Sequence, residues 1–292
     1  MNDLSIALGV IPIASPTVAI ALGGGGARGL AHIVVLEALD ELGLRPAIIA
    51  GTSIGAVFGA AYASGLTAKL LREIVSTTFR ARSKVAAKLL QARVGRFSDL
   101  LFGSGGNPVQ LDAERCVEAF WPGGVPKAFA DLLIPTLIVA TDFHACKEVV
   151  FEAGPLAPAI ASSIAIPGIF QSVECSGHIL IDGGAVNPLP YDLVMDRADI
   201  VVAVDVTIGG RMRNRRMPRS FDALFGAAQI MQGSITAQKL KMRPPDILVR
   251  PPVERFAILD FMKCNHILRA ADLMKDDVKR QIAAQVQARQ LS

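Results

Sequence analysis

Between Thr17 and Ser64 the chain twice repeats one arrangement: a short apolar run, a glycine turn, and a helical pattern. TVAIAL (Thr17–Leu22) runs into GGGGARG and then into a stretch from about Leu30 to Leu42, where Leu30, Val34, Leu36, Leu39 and Leu42 fall largely on one helical face before Gly43 ends it. PAIIA (Pro46–Ala50) runs into GTSIG and a second helix reaching about Ser64. A strand followed by a turn and a helix, repeated, is the signature of a parallel sheet with helices on its faces.

Further strands are expected at Thr136–Ala140, Glu148–Phe151, His178–Ile181, Ile200–Val206 and Ile247–Val249, with a helical pattern from about Phe261 onward. No internal repeat or low-complexity linker divides the 292 residues. The expected organisation is a tail over 1–16, a catalytic domain over 17–250, and a helical extension over 251–292 packed on that domain. Two uncharged stretches, Pro46–Ala68 and Ala153–Val173, exceed the roughly 18 residues that prompt a membrane-span reading. Glycine, proline or serine interrupts each at turn-like places, so both read as buried core. Met1–Val10 has no basic region ahead of its apolar residues, which argues against a secretory leader.

The glycine loop admits several readings. Gly24, Gly26 and Gly29 satisfy GxGxxG, the start of a dinucleotide fingerprint. That reading needs an acidic residue about 20 positions on, where the chain instead has Gly51, Thr52 and Ser53. A P-loop is excluded because no Gly-Lys-Ser/Thr follows. Alternatively, the glycines free backbone N–H groups at a helix N-terminus for a developing oxyanion, or they only allow helix and sheet to pack closely.

GTSIG fits the nucleophile-elbow pattern, with Gly51 and Gly55 leaving room for a sharp turn around Ser53. Such a serine needs a base, and histidine is the usual one. His32 reads as a packed helix residue, and His144 and His178 lie beside strands. Only His266 would suit the α/β-hydrolase order, which normally builds more strands before its elbow than this chain has. HILIDGGAVNPLP (His178–Pro190) offers Asp182 at a strand end, where Gly183 and Gly184 allow close backbone approach. An Asp-Gly turn is its plain structural alternative.

GGGARG (Gly24–Gly29), GTSIG (Gly51–Gly55) and DGG (Asp182–Gly184), in this order, resemble the patatin-like phospholipase family. ATDF (Ala140–Phe143), ASSIAIPGIF (Ala161–Phe170) and NPLP (Asn187–Pro190) extend the likeness to its bacterial branch, over roughly Thr17 to Val206. The resemblance implies a three-layer α/β/α sandwich with a mainly parallel central sheet, and lipid acyl hydrolysis without metal or cofactor. It also implies a Ser-Asp dyad, with Ser53 as nucleophile and Asp182 as base. The amides of Gly24, Gly25 and Gly26 would form the oxyanion hole, and Arg28 occupies the family's basic position in that loop. Gly29, Gly51, Gly55, Gly183 and Gly184 would support these motifs.

The expected substrate is a phospholipid or lysophospholipid. The net charge of +4 is too small by itself to argue for nucleic acid. Two basic segments, Arg80–Arg96 and Arg211–Arg219, suit contact with an anionic membrane surface. The four dispersed cysteines form no ligand cluster and read as reduced thiols of a cytoplasmic protein, which the two basic segments would place at the inner face of the membrane. A general carboxylesterase, an acyltransferase, a nucleotide-binding module and a non-catalytic lipid binder are the alternatives. Residues 78–126 are a candidate lid.

Overall fold

A computed structural model describes residues 15–93, 110–121, 123–207, 217 and 220–291. The described strands are β1 (Val18–Leu22), β2 (Ile48–Thr52), β3 (Thr136–Asp142), β4 (Lys147–Phe151), β5 (Val173–Cys175), β6 (His178–Asp182), β7 (Ile200–Val204) and β8 (Ile247–Val249). They form one sheet in the order β5-β6-β3-β2-β1-β7-β8, with β4 also paired to β3. The run β3-β2-β1-β7-β8 is parallel throughout, and β4, β5 and β6 add an antiparallel margin.

The two long uncharged stretches resolve into short elements. Pro46–Ala68 holds β2 and the helix α2 (Ile54–Ala63), after α1 (His32–Glu41). Ala153–Val173 is centred on α6 (Leu156–Ile164), which follows α3 (Ala68–Arg80), α4 (Arg82–Gln91) and α5 (Ala113–Phe120). Beyond the sheet come α7 (Ser220–Met242), α8 (Cys264–Asp272) and α9 (Lys275–Leu291). Among the described residues no helix is long and apolar enough to cross a membrane. The start of α1 differs from expectation, because Gly26–Ala31 is a tight 3-10 turn and the helix proper begins at His32.

Side-chain alternation along the strands separates two apolar layers. Val18, Ile20 and Leu22 of β1 and Ile200, Val202 and Val204 of β7 face a thick layer containing α1, α2, α6, α8 and α9. Ala19 and Ala21, with Val201 and Ala203, face a thinner one built from Leu189, Tyr191, Val194 and Leu240 of α7. Strands covered on both faces explain why their sequences are continuously apolar. The architecture is the expected α/β/α sandwich, with unequal outer layers.

Candidate active site

The site lies where two strands meet end to end. β4 and β6 both pair with the Ala140–Asp142 part of β3, so they occupy opposite edges of it. β4 also covers Ile138 and Val139, which puts β2 on the same edge as β6. β2 runs parallel to β3 and stops at Thr52, opposite Val139; β6 runs antiparallel and stops at Asp182, opposite Ala140. Each chain must therefore leave the sheet at once. Ser53 turns into α2, and Gly183 turns into a short 3-10 segment.

These exits require close backbone approach. A Cβ on Gly55 would lie 2.0 Å from the Leu22 carbonyl oxygen, and one on Gly183 would lie 2.2 Å from that of Val139. Ser53 has φ 56 and ψ −123, a backbone that costs a non-glycine residue of order 1–3 kcal/mol and that persists only where its surroundings enforce it. Its N–H donates to Ser163 Oγ at 2.8 Å, and its hydroxyl donates to Asp182 Oδ2 at 2.5 Å. The other carboxylate oxygen, Oδ1, accepts from Gly184 N–H at 2.7 Å. Asp182 is itself fixed in the backbone, donating to the Ala165 carbonyl at 3.0 Å and accepting from Thr141 Oγ1 at 2.9 Å.

Burial pushes the Asp182 carboxyl up to about 6, against the opposing influence of its bonds to Ser53 and Gly184. A carboxylate so placed is a stronger base than an exposed one, yet still ionised at neutral pH. Both dyad candidates are nearly inaccessible, at 5% for Ser53 and 6% for Asp182.

The glycine loop sits against this pair, since a Cβ on Gly24 would lie 3.4 Å from that of Ser53. One expected donor is spoken for: Gly24 N–H donates to the Pro188 carbonyl at 2.9 Å. That removes Gly24 from the expected set of three free amides; among the described residues those of Gly25 and Gly26 have no such partner, at the mouth of the 3-10 turn where N–H groups lack intrahelical acceptors. Gly26 has φ +57, and the Ile258 carbonyl, 2.3 Å from where its Cβ would stand, excludes any larger residue. Arg28 is buried, with Nε donating to the Gly25 carbonyl at 3.4 Å and both terminal nitrogens without a hydrogen-bond partner among the described residues. Burial lowers it to about 10, with the charge of Asp205 opposing. It supports the loop from beneath. Gly29 is the contact point of loop and elbow, where a Cβ would meet Ile54 at 2.2 Å.

None of the histidines reaches the serine. His32 is fully buried with Nε2 2.8 Å from the Gly23 carbonyl, His178 pairs with Asp142, and His144 and His266 are exposed. Residues that the sequence left unnoticed complete the surroundings: Ser163 beneath the nucleophile, Asn187, whose carbonyl accepts from Thr52 Oγ1 at 2.8 Å, and Ile258 behind the glycine loop. ASSIAIP and NPLP contain the first two but give no local sign of contacts spanning more than 100 residues. Among the described residues no cluster of three or more His, Cys, Asp or Glu side chains could hold a metal ion.

A family model described as patatin-like phospholipase matches residues 20–195. The chain belongs to the patatin-like phospholipase family. An NTE family protein of Mycobacterium bovis is 38% identical over 232 residues, covering 75% of this chain and 60% of that protein. Human patatin-like phospholipase domain-containing protein 6 is 32% identical over 193 residues, covering 65% of this chain and 13% of that one. The chain therefore matches only part of the length of both relatives. VipD from Legionella pneumophila superposes with a TM-score of 0.48 at 13% identity, over 91% of this chain and 67% of that one. The matched span contains all three motifs, and α7, α8 and α9 lie outside it.

Proposed function

We propose that this patatin-like chain is a serine lipid acyl hydrolase that cleaves fatty-acyl esters of phospholipids or lysophospholipids through Ser53 and Asp182. The observation that carries the reading is the 2.5 Å hydrogen bond from Ser53 Oγ to Asp182 Oδ2, made by a serine held in a strained strand-to-helix turn. Ser53 Oγ attacks the ester carbonyl carbon as its proton passes to Asp182. The carbonyl oxygen becomes an oxyanion facing the amides of Gly25 and Gly26. The tetrahedral intermediate collapses, Asp182 returns the proton to the leaving alcohol, and an acyl-Ser53 ester remains. Water then repeats the two steps, with Asp182 as base, and releases the fatty acid.

Contact with an anionic membrane surface belongs to the same proposal. In α4 the basic residues Arg82 and Lys84 are exposed alongside Leu89 and Leu90, while Val85 anchors the helix to the protein. Such a face suits headgroups and the upper acyl region. The part of Arg80–Arg96 beyond Arg93 lies outside the described residues, as does Arg211–Arg219 except for Met217. Residues 1–14 of the tail and 94–109 and 122 of the candidate lid also lie outside them.

The test is labelling by a fluorophosphonate together with hydrolysis of anionic phospholipid vesicles by wild type, Ser53→Ala and Asp182→Asn. Turnover is expected to fall on the order of 10^4 or more in either variant, and the adduct to vanish in Ser53→Ala. Substantial esterase activity in purified Ser53→Ala would overturn the mechanism. Hydrolysis of short-chain esters alone would favour a general carboxylesterase, and product ester formed with an added alcohol would favour an acyltransferase.

A further inference from the structure

In a parallel ladder the N–H groups that point toward one neighbour come from alternate residues. Ile49 N–H donates to the Pro135 carbonyl at 2.9 Å. With the register running from Ile49↔Thr136 to Thr52↔Val139, the rungs that follow are Gly51 to Leu137 and then Ser53 to Val139. The last of these is not made directly. Ser53 N–H donates to Ser163 Oγ at 2.8 Å, and the Ser163 hydroxyl donates to the Val139 carbonyl at 2.6 Å. A side-chain hydroxyl from α6 is thus inserted into the ladder at the residue where β2 leaves the sheet.

We propose that Ser163 is a positioning residue for the nucleophile: its hydroxyl fills the rung that would otherwise draw Ser53 back against β3, and so holds the backbone that presents Ser53 Oγ to Asp182. The inference rests on the Ser53–Asp182 reading of the site. A hydroxyl has one proton to give, and here it goes to Val139, which leaves lone pairs for the Ser53 amide and fixes both partners. Ser163 is fully buried, so water cannot take its place without a cavity. Without the hydroxyl the Ser53 amide is left unpaired in the interior or closes onto Val139, and either outcome disfavours the positive φ. A displacement of about 1 Å at a reacting atom is enough to cost on the order of 10^2 in rate.

Ser163→Ala is the direct test. Its kcat toward an ester substrate is expected to fall by about 10- to 100-fold with KM nearly unchanged. The acid limb of its pH–rate profile is expected to move upward, because the Ser53 hydroxyl that lowers the Asp182 carboxyl would no longer be seated on it. Ser163→Thr, which restores the hydroxyl, is expected to recover part of the rate. A merely structural serine would change the melting temperature and leave kcat per folded molecule and the pH profile alone, and that result overturns the proposal. If Ser163→Ala does not fold, Ser163→Cys fills the volume with a poor acceptor and carries the same expectations. A crystal structure of the variant reads the rung independently of turnover. Ser53 at negative φ is expected, and retention of the native positive φ overturns the inference even if the chain proves to have no esterase activity, an outcome that would sink the functional reading instead.

Discussion

Asp182 carries a charge where burial disfavours one, and this affects both rate and stability. Its carboxyl titrates at about 6 instead of its ordinary 3.8, so activity that depends on it as a base is expected to fall as pH drops through about 6. A pH–rate profile with substrate kept saturating would show this. The effect on stability has the opposite direction. Between about pH 4 and 6 the folded chain holds this proton and the unfolded chain does not, so raising the pH through that window removes stability, on the order of 3 kcal/mol when complete. Asp182→Asn preserves an acceptor for Gly184 N–H and places a donor toward Ser53 without the charge. Its melting temperature is expected to exceed that of wild type at pH 8, with the gap closing as pH falls toward 4. At this scale much was legible: Ser53 and Asp182 sit in local motifs whose glycines announce sharp turns. The engagement of Gly24 by Pro188 and the role given to Ser163 were not, because each depends on a partner far along the chain.

The elbow tolerates no side chain at Gly55, where a Cβ would stand 2.0 Å from the Leu22 carbonyl in the central strand β1. Gly55→Ala is expected to cost several times the roughly 1 kcal/mol by which alanine and glycine differ in an ordinary helix, with the sign reversed, since α2 must move away from β1. Gly43 serves as the comparison: it has positive φ but open space around it, so Gly43→Ala pays local backbone strain alone. Chemical denaturation of both variants would rank them. The strands β1, β2, β3 and β7 were readable because each is buried along its whole length and is largely apolar, and β4 and β6 because a short apolar run survives in each. β5 was missed, being a three-residue margin strand with no fully buried position. The helices α3 and α5 escaped assignment because each buries only three residues against the core, and α7 because Gly226 and Thr236 are the buried positions of its described side chains, which leaves no apolar stripe to detect.

The last third of the chain lies outside the family match, yet it reaches the site. Ala27 N–H donates to the Ile258 carbonyl at 2.7 Å, fixing the glycine loop from behind. Ile267, Leu268 and Ala271 of α8 and Val278 and Ile282 of α9 are buried in the same core as β1 and α1. Arg72 of α3 joins Glu37 of α1 to Asp272 of α8, and Lys275 of α9 reaches both Glu37 and Glu41. A chain ending at residue 250 is therefore expected to lose cooperative unfolding, which calorimetry would register, and not merely to lose a detachable appendage. The head-on meeting of β2 and β6 along one edge of β3 has a further consequence. The approach of Ser53 and Asp182 is set first by strand register, at about 3.3 Å per residue, and the turn at Ser53 makes only the last adjustment. A slip of one residue in either register would turn a side chain to the opposite face and part the pair. A designer, or natural selection, can therefore adjust this pair by degrees only at the turn that carries Ser53 and its support from Ser163, because the strands themselves move in whole steps.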